Sequence, residues 1–140
     1  PKVTVKYKNI TLREGIDYKV VYKNNKKIGT AKIYVIGLNN FKDSNTYKMK
    51  IIPAKTKITK KKATKKKITL KLKKVKGATG YQVMYSLKKN FKGKKKINTK
   101  KRTVVIKRKK SGKYYVKVRA YKKIGKKYVY GNYTKRITIK

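Results

Sequence analysis

The chain has 140 residues, of which 47 are Lys or Arg and only three, Glu14, Asp17 and Asp43, are acidic, giving a formal net charge of +44. It contains no Cys and no His, which excludes disulfides, thiolate and imidazole chemistry and the common zinc sites. Three dispersed carboxylates in so positive a field supply little for acid–base work and repel cations, so no catalytic residue, metal site or cofactor is expected.

High charge is the usual mark of an unfolded basic tail, but the order of the residues opposes that. From Ile68 to Leu72, and again from Tyr114 to Ala120, apolar residues alternate with Lys, Arg or other surface-compatible residues at period two. That spacing puts the charges on the solvent face of half-buried strands. Lys outnumbers Arg by 42 to 5. An AT-rich genome explains that ratio but not the missing acids, whose codons suit such a genome equally, so the charge is read as selected. A compact body of this mass would expose about 7,500 Å², or about 170 Å² per net charge and a mean spacing of about 13 Å. This exceeds the Debye length of about 8 Å at physiological salt, so the chain is expected to fold and to lose stability as ionic strength falls.

Taken in chain order, short runs of Val, Ile, Thr and Tyr predict strands near residues 2–7, 17–23, 30–36 and 46–52. Further strands are predicted at 55–60, 67–73, 80–86, 94–98, 103–107, 113–121 and 128–139. Asn24-Asn25, Asn39-Asn40, Lys76-Gly77, Ser111-Gly112 and Ile124-Gly125 read as reversals. No stretch carries a helical stripe, and none is apolar for long enough to span a membrane. Pro53 lacks an amide proton and commonly sits where one strand system yields to another. The expected fold is therefore all-β in two small domains, 1–53 and 54–140, joined by a short linker at 52–55.

Residues 78–139 carry Ala78-Thr-Gly-Tyr-Gln-Val-Met-Tyr-Ser86, Ser111-Gly-Lys-Tyr-Tyr-Val-Lys-Val-Arg-Ala-Tyr121 and Tyr130-Gly-Asn-Tyr-Thr-Lys135. These resemble the C, F and G strands of bacterial fibronectin type III modules, and with the preceding strands the resemblance covers 54–140. Residues 1–52 are similar to an immunoglobulin-like repeat of bacterial surface proteins through Leu12-Arg-Glu-Gly-Ile-Asp-Tyr18, Tyr22-Lys-Asn-Asn25, Gly29-Thr-Ala31 and Asn39-Asn-Phe41. The resemblance implies two tandem antiparallel β-sandwiches, the first lacking its opening strand, as pieces of a longer modular protein from a low-GC Gram-positive bacterium. It also marks departures. Leu72 and Tyr133 stand where that family has Trp, and Lys109 stands where it has Leu, putting a charge where the core would continue. Tyr114 matches an inward tyrosine at the start of strand F; Tyr81 and Tyr85 share the phase of Val83 and are expected in the core, while Tyr121, Tyr128 and Tyr130 are expected to be partly exposed.

Some Gram-positive immunoglobulin folds join a Lys to an Asn beside a buried acid. Here Glu14 or Asp17 would have to serve, and both lie in a predicted turn, where Asp usually caps backbone amides. Binding is the remaining class. The densest basic clusters are Lys60, Lys61 and Lys62 with Lys65, Lys66 and Lys67; Lys88, Lys89 and Lys92 with Lys94, Lys95 and Lys96; and Lys107, Arg108, Lys109 and Lys110 with Lys113. In the sandwich the resemblance implies, these fall on the A–B, C–C′ and E–F loops, which emerge at one pole. The other pole would hold a sparser set that includes Lys73, Lys76, Lys101, Lys122 and Lys126.

Such clusters attract phosphate, sulfate or carboxylate chains through counterion release and steering. The expected partners are teichoic acids, glycosaminoglycans and other sulfated glycans, DNA or RNA without sequence preference, and anionic membrane surfaces, besides neighbouring domains of a longer chain. The expected setting is extracellular or cell-wall associated, with the chain as a monomer. The alternative is a passive spacer whose lysines serve solubility, wall retention and protection of strand edges.

Overall fold

A computed structural model describes residues 1–140 and contains strands, turns and no helix. The chain divides into two compact units, Pro1–Ile51 and Ile52–Lys140.

In the first unit β1 (Lys6–Tyr7) and β2 (Ile10–Thr11) form a two-stranded hairpin. A separate antiparallel sheet has the order β3-β4-β5, from Tyr18–Lys23, Gly29–Gly37 and Ser44–Ile51. The central strand β4 shows the period-two pattern most clearly: Gly29, Ala31, Ile33 and Val35 are buried while Thr30 and Lys32 face water. Its reversals use Asn24 and Asn39 in the left-handed region, which Asn tolerates better than most residues. Gly37 is required for a different reason. A Cβ there would collide with the Phe41 carbonyl and meet the Asp43 carbonyl at 2.8 Å. The core of this unit is small: Tyr18, Ile33 and Val35, with Val3, Val5, Leu12, Val20, Tyr22 and Met49 packed against it.

The strand expected over 2–7 is paired only at Lys6 and Tyr7. Before it, Val5 O accepts the Leu12 amide at 2.9 Å, and two earlier carbonyls go to tyrosine hydroxyls: Tyr18 donates to Val3 O at 3.3 Å and Tyr22 to Pro1 O at 2.6 Å. Those bonds and the half-buried Val3 and Val5 hold the segment without a ladder.

The second unit has two antiparallel sheets. One has the order β10-β7-β6, from β6 (Ile58–Ala63), β7 (Lys67–Leu72) and β10 (Thr103–Lys107). The other has the order β12-β11-β8-β9, from β8 (Gly80–Ser86), β9 (Lys95–Thr99), β11 (Tyr114–Ile124) and β12 (Lys127–Tyr130), and β13 (Ile137–Ile139) also pairs with β11. Ile68, Leu70 and Leu72 from β7 and Val104 and Ile106 from β10 share one core with Tyr81 and Val83 from β8 and with Tyr114, Val116, Val118 and Ala120 from β11. The two sheets are therefore held together by their inward residues, while alternate positions of β7 and β11 carry Lys67, Lys71, Lys117 and Arg119, and those of β8, Gln82, Met84 and Ser86, are uncharged and buried.

Two expectations are corrected here. The strand expected at 55–60 runs instead from Ile58 to Ala63, because Thr56 is buried with its hydroxyl on Lys73 O at 2.8 Å and the ladder begins only at Ile58, with an irregularity between Ile58 and Lys60. The strand expected over 128–139 is two short ones. β12 pairs with one end of β11 and β13 with the other. Between them Gly131 N–H donates to Ala120 O at 2.9 Å and Thr134 N–H to Val118 O at 2.8 Å, so the segment follows β11 without a regular register. Gly131 also presses on the carbonyl of buried Pro53, which a Cβ would meet at 2.5 Å.

Candidate functional site

All three acidic side chains lie in the first unit. Asp17 is committed locally, accepting the Arg13 amide at 2.8 Å and pairing with its guanidinium at 3.6 Å. Residues 52–140 contain no Asp or Glu at all, yet hold 35 of the 47 basic residues. Within their own unit these cations meet no acidic side chain, only carbonyls, aromatic faces or solvent ions.

The three basic clusters are built differently from what loops alone would give. Lys60, Lys61 and Lys62 are not on a loop but in β6, an edge strand whose residues after Ile58 are all exposed. Lys60 stands opposite Lys71, a like-charge pair that weakens that ladder. Lys65 and Lys66 occupy the β6–β7 connection and Lys67 opens β7. Lys88, Lys89, Lys92 and Lys94 lie between β8 and β9, while Lys95 and Lys96 begin β9. Lys107 ends β10, and Arg108, Lys109, Lys110 and Lys113 lie between β10 and β11.

The folded register joins these runs. Lys67 is the direct cross-strand neighbour of Lys107. Arg108 ties the same two connections: its amide donates to Lys66 O at 2.8 Å, Nη1 to Thr64 O at 3.1 Å and Nη2 to Gly112 O at 3.0 Å. Its guanidinium also covers the Tyr114 ring at 5.3 Å. Expected as one more free cation, Arg108 is instead a staple whose charge is shared among carbonyls and a π face.

The β8–β9 and β10–β11 connections meet at an open cavity of about 390 Å³. Tyr85, Leu87 and Tyr114 supply its apolar lining; Lys88, Lys92, Lys95, Lys107, Lys109 and Lys110 supply its cations. The Tyr85 and Tyr114 rings stack with centroids 6.4 Å apart. Ser86 fixes the mouth, donating to Lys92 O at 2.8 Å and accepting the Lys88 amide at 3.1 Å. Burial, and secondarily the Tyr114 phenol, pushes the Tyr85 phenol above its ordinary 10.0. Lys109, expected to put a charge where core would continue, is exposed and lines this cavity. Thus two of the clusters share one concavity and the third adjoins it through Lys67 and Arg108, while residues 60–62 run away along an edge.

A second set of cations was not singled out by sequence. On the sheet formed by β8 and β11, Arg119 lies 3.8 Å from the Tyr130 ring centroid and 4.3 Å from that of Tyr133. Lys117 lies 4.5 Å from Phe91 and 4.7 Å from Tyr133. Gln82 organises this face: Oε1 accepts from Arg119 Nε at 2.9 Å and from Tyr133 Oη at 2.6 Å, while Nε2 donates to Asn98. The available signal was the alternation of Lys117 and Arg119 opposite a tyrosine-rich final segment. Tyr128 and Tyr130 stack at 5.8 Å with an interplanar angle of 12°, and Tyr128 is exposed. Tyr121, expected to be partly exposed, is buried, because Tyr128 and Tyr130 pack edge-on against it.

No family model matches the chain, and no curated protein matches it in sequence.

Proposed function

We propose that the chain is a non-enzymatic polycationic part of a bacterial surface or secreted protein, made of an immunoglobulin-like domain over 1–53 and a fibronectin type III domain over 54–140. Its role is to hold anionic polymers electrostatically in an extracellular or cell-wall setting. The fold assignment is supported by the strand orders β10-β7-β6 and β12-β11-β8-β9, which read as E-B-A and G-F-C-C′ in that family. It is supported further by the Tyr114 hydroxyl, which donates to Lys110 O at 3.1 Å four residues upstream, as a tyrosine corner does.

One observation carries the function: 35 cations on residues 52–140 face no acidic side chain of their own unit. Charges without internal partners are neutralised by mobile solvent ions, and a polyanion that displaces those ions gains their release entropy. Lysines grip as flexible point charges, so teichoic acid, sulfated glycan, nucleic acid and anionic membrane all qualify. Edge protection needs only a few lysines, which disfavours the spacer reading.

Salt-dependent retention on immobilised heparin tests this. A holder of polyanions elutes late, and its affinity falls steeply against the logarithm of salt. Reversal of Lys65, Lys66, Lys67, Lys94 and Lys95 to Glu should advance elution more than reversal of Lys73, Lys76, Lys101, Lys122 and Lys126. Equal losses would remove the polar concentration of binding, and early elution of the unaltered protein would leave only the spacer.

A further inference from the structure

The cavity between the β8–β9 and β10–β11 connections has a composition that an extended polyanion does not use. A bare chain of phosphates or sulfates is satisfied by exposed ammonium groups and has no need of the Tyr85, Leu87 and Tyr114 lining. An uncharged apolar ligand would use that lining but bring nothing to the six surrounding lysines. A volume of about 390 Å³ also lies within the range of small-ligand pockets, which are mostly apolar with a few convergent polar groups.

The walls are held before any ligand arrives. Tyr114 is pinned by its hydroxyl on Lys110 O at 3.1 Å and covered by Arg108, which is itself anchored to Thr64 O and Gly112 O. Ser86 bridges both sides of the β8–β9 connection. Ordering of side chains on binding is thereby reduced to the lysine stems.

We infer that this cavity binds a phosphate or sulfate ester of an apolar alcohol, with the apolar body against Tyr85, Leu87 and Tyr114 and the anionic group among the lysines. Tyr85, in the same lining, also brings a hydroxyl that can donate to the anion or its ester oxygen. This deepens the polyanion reading and rests on it for the unpaired lysines, but it differs in assigning part of the affinity to the apolar floor.

The test is a titration of the whole chain, followed by NMR at physiological salt, with 1-naphthyl phosphate, hexyl phosphate, inorganic phosphate and 1-naphthol. At least one ester should bind about tenfold more tightly than inorganic phosphate or naphthol, the naphthyl and hexyl arms separating a ring-borne from a chain-borne ester. The shifts should centre on Tyr85, Leu87, Gly93, Lys110 and Tyr114. Lys109→Gln should remove one lining cation and weaken ester and inorganic phosphate by similar factors, leaving the ester's advantage in place, while shifting heparin elution only by the loss of one charge. Leu87→Ala, at a residue 43% exposed, should weaken ester binding without unfolding the unit. Ester and inorganic phosphate binding alike, or shifts spread evenly over the lysines, would overturn the inference while leaving late heparin elution intact. Early heparin elution with selective ester binding would overturn the polyanion reading alone.

Discussion

The two units divide charge and core in opposite proportion to what caution would suggest. Residues 1–51 carry 12 basic and all three acidic side chains, a net charge of +9, over a core of a few residues. Residues 52–140 carry 35 basic side chains and no acidic one, and it is this unit that has two sheets closed over a continuous core. The energy of a charged body grows as the square of its charge, so self-repulsion in the second unit is roughly fifteen times that in the first before size and screening are counted. A heavy cationic load is compatible with folding where fully buried residues such as Ile68, Leu70, Ile106, Val116 and Val118 offset it. The exposed surface of 10653 Å² gives roughly 240 Å² per net charge, more than the scaling estimate allowed, which further dilutes the repulsion.

Ionic strength is the strongest lever on that comparison. Reducing salt from about 0.15 M to about 0.01 M lengthens screening from about 8 Å to about 30 Å, so charges across a whole unit begin to act on one another. The amides of Val83 and Val116 should then lose their protection against hydrogen exchange, while those of Ile33 and Val35 change much less. At about 1 M salt the order should reverse, with the larger core the more protected. Were the first unit to open first at low salt, core size rather than charge would be what limits each unit.

A smaller effect separates the cores themselves. At high salt Leu70→Ala, at a fully buried position, should cost the second unit about 3 kcal/mol, and Ile33→Ala about 2 kcal/mol in the first, where neighbours are fewer and collapse is easier. Denaturant midpoints for each unit, read from residue-resolved NMR, check both values. The midpoint moves by the cost divided by a slope that scales with the surface exposed on unfolding. That slope is smaller for the shorter unit Pro1–Ile51, so its midpoint should move slightly further despite the smaller cost. Equal midpoint shifts would mean that the hydroxyl-held segment of residues 1–5 contributes more than its packing suggests.

What could be read from the residues follows from how local each cause is. The alternations at 68–72 and 114–120 and the reversals at Asn24 and Asn39 depend on neighbours in sequence, and they are where the folded chain has them. The misplaced ends have long-range causes. β6 is displaced by Thr56 bonding to Lys73, the first segment by tyrosines of β3, and the break between β12 and β13 by Gly131 seated on Pro53 and Ala120. The candidate site divides in the same way. Its basic runs were visible as composition, but the Lys67–Lys107 rung, the Arg108 staple and the tyrosine floor exist only once strands 40 residues apart are in register, a separation at which periodicity carries no signal.

The smallest effect is alkaline and again belongs to the second unit. Burial is the leading cause that pushes the phenols of Tyr85, Tyr121 and Tyr133 above 10.0; at Tyr133 the Arg119 guanidinium partly opposes it. A raised phenol means that the native state keeps its proton where the unfolded chain has lost it. These three groups therefore leave stability unchanged below about pH 10 and subtract from it above, until the native phenols ionise as well. Tyrosine ring resonances should show Tyr85, Tyr121 and Tyr133 ionising above 10.0, with unfolding free energy at high salt declining over the same window. Arg119→Gln removes the one opposing influence, so Tyr133 should ionise later still while Tyr85 stays where it was; a Tyr133 that instead ionised earlier would mean that the guanidinium covers the ring without lowering the cost of its phenolate.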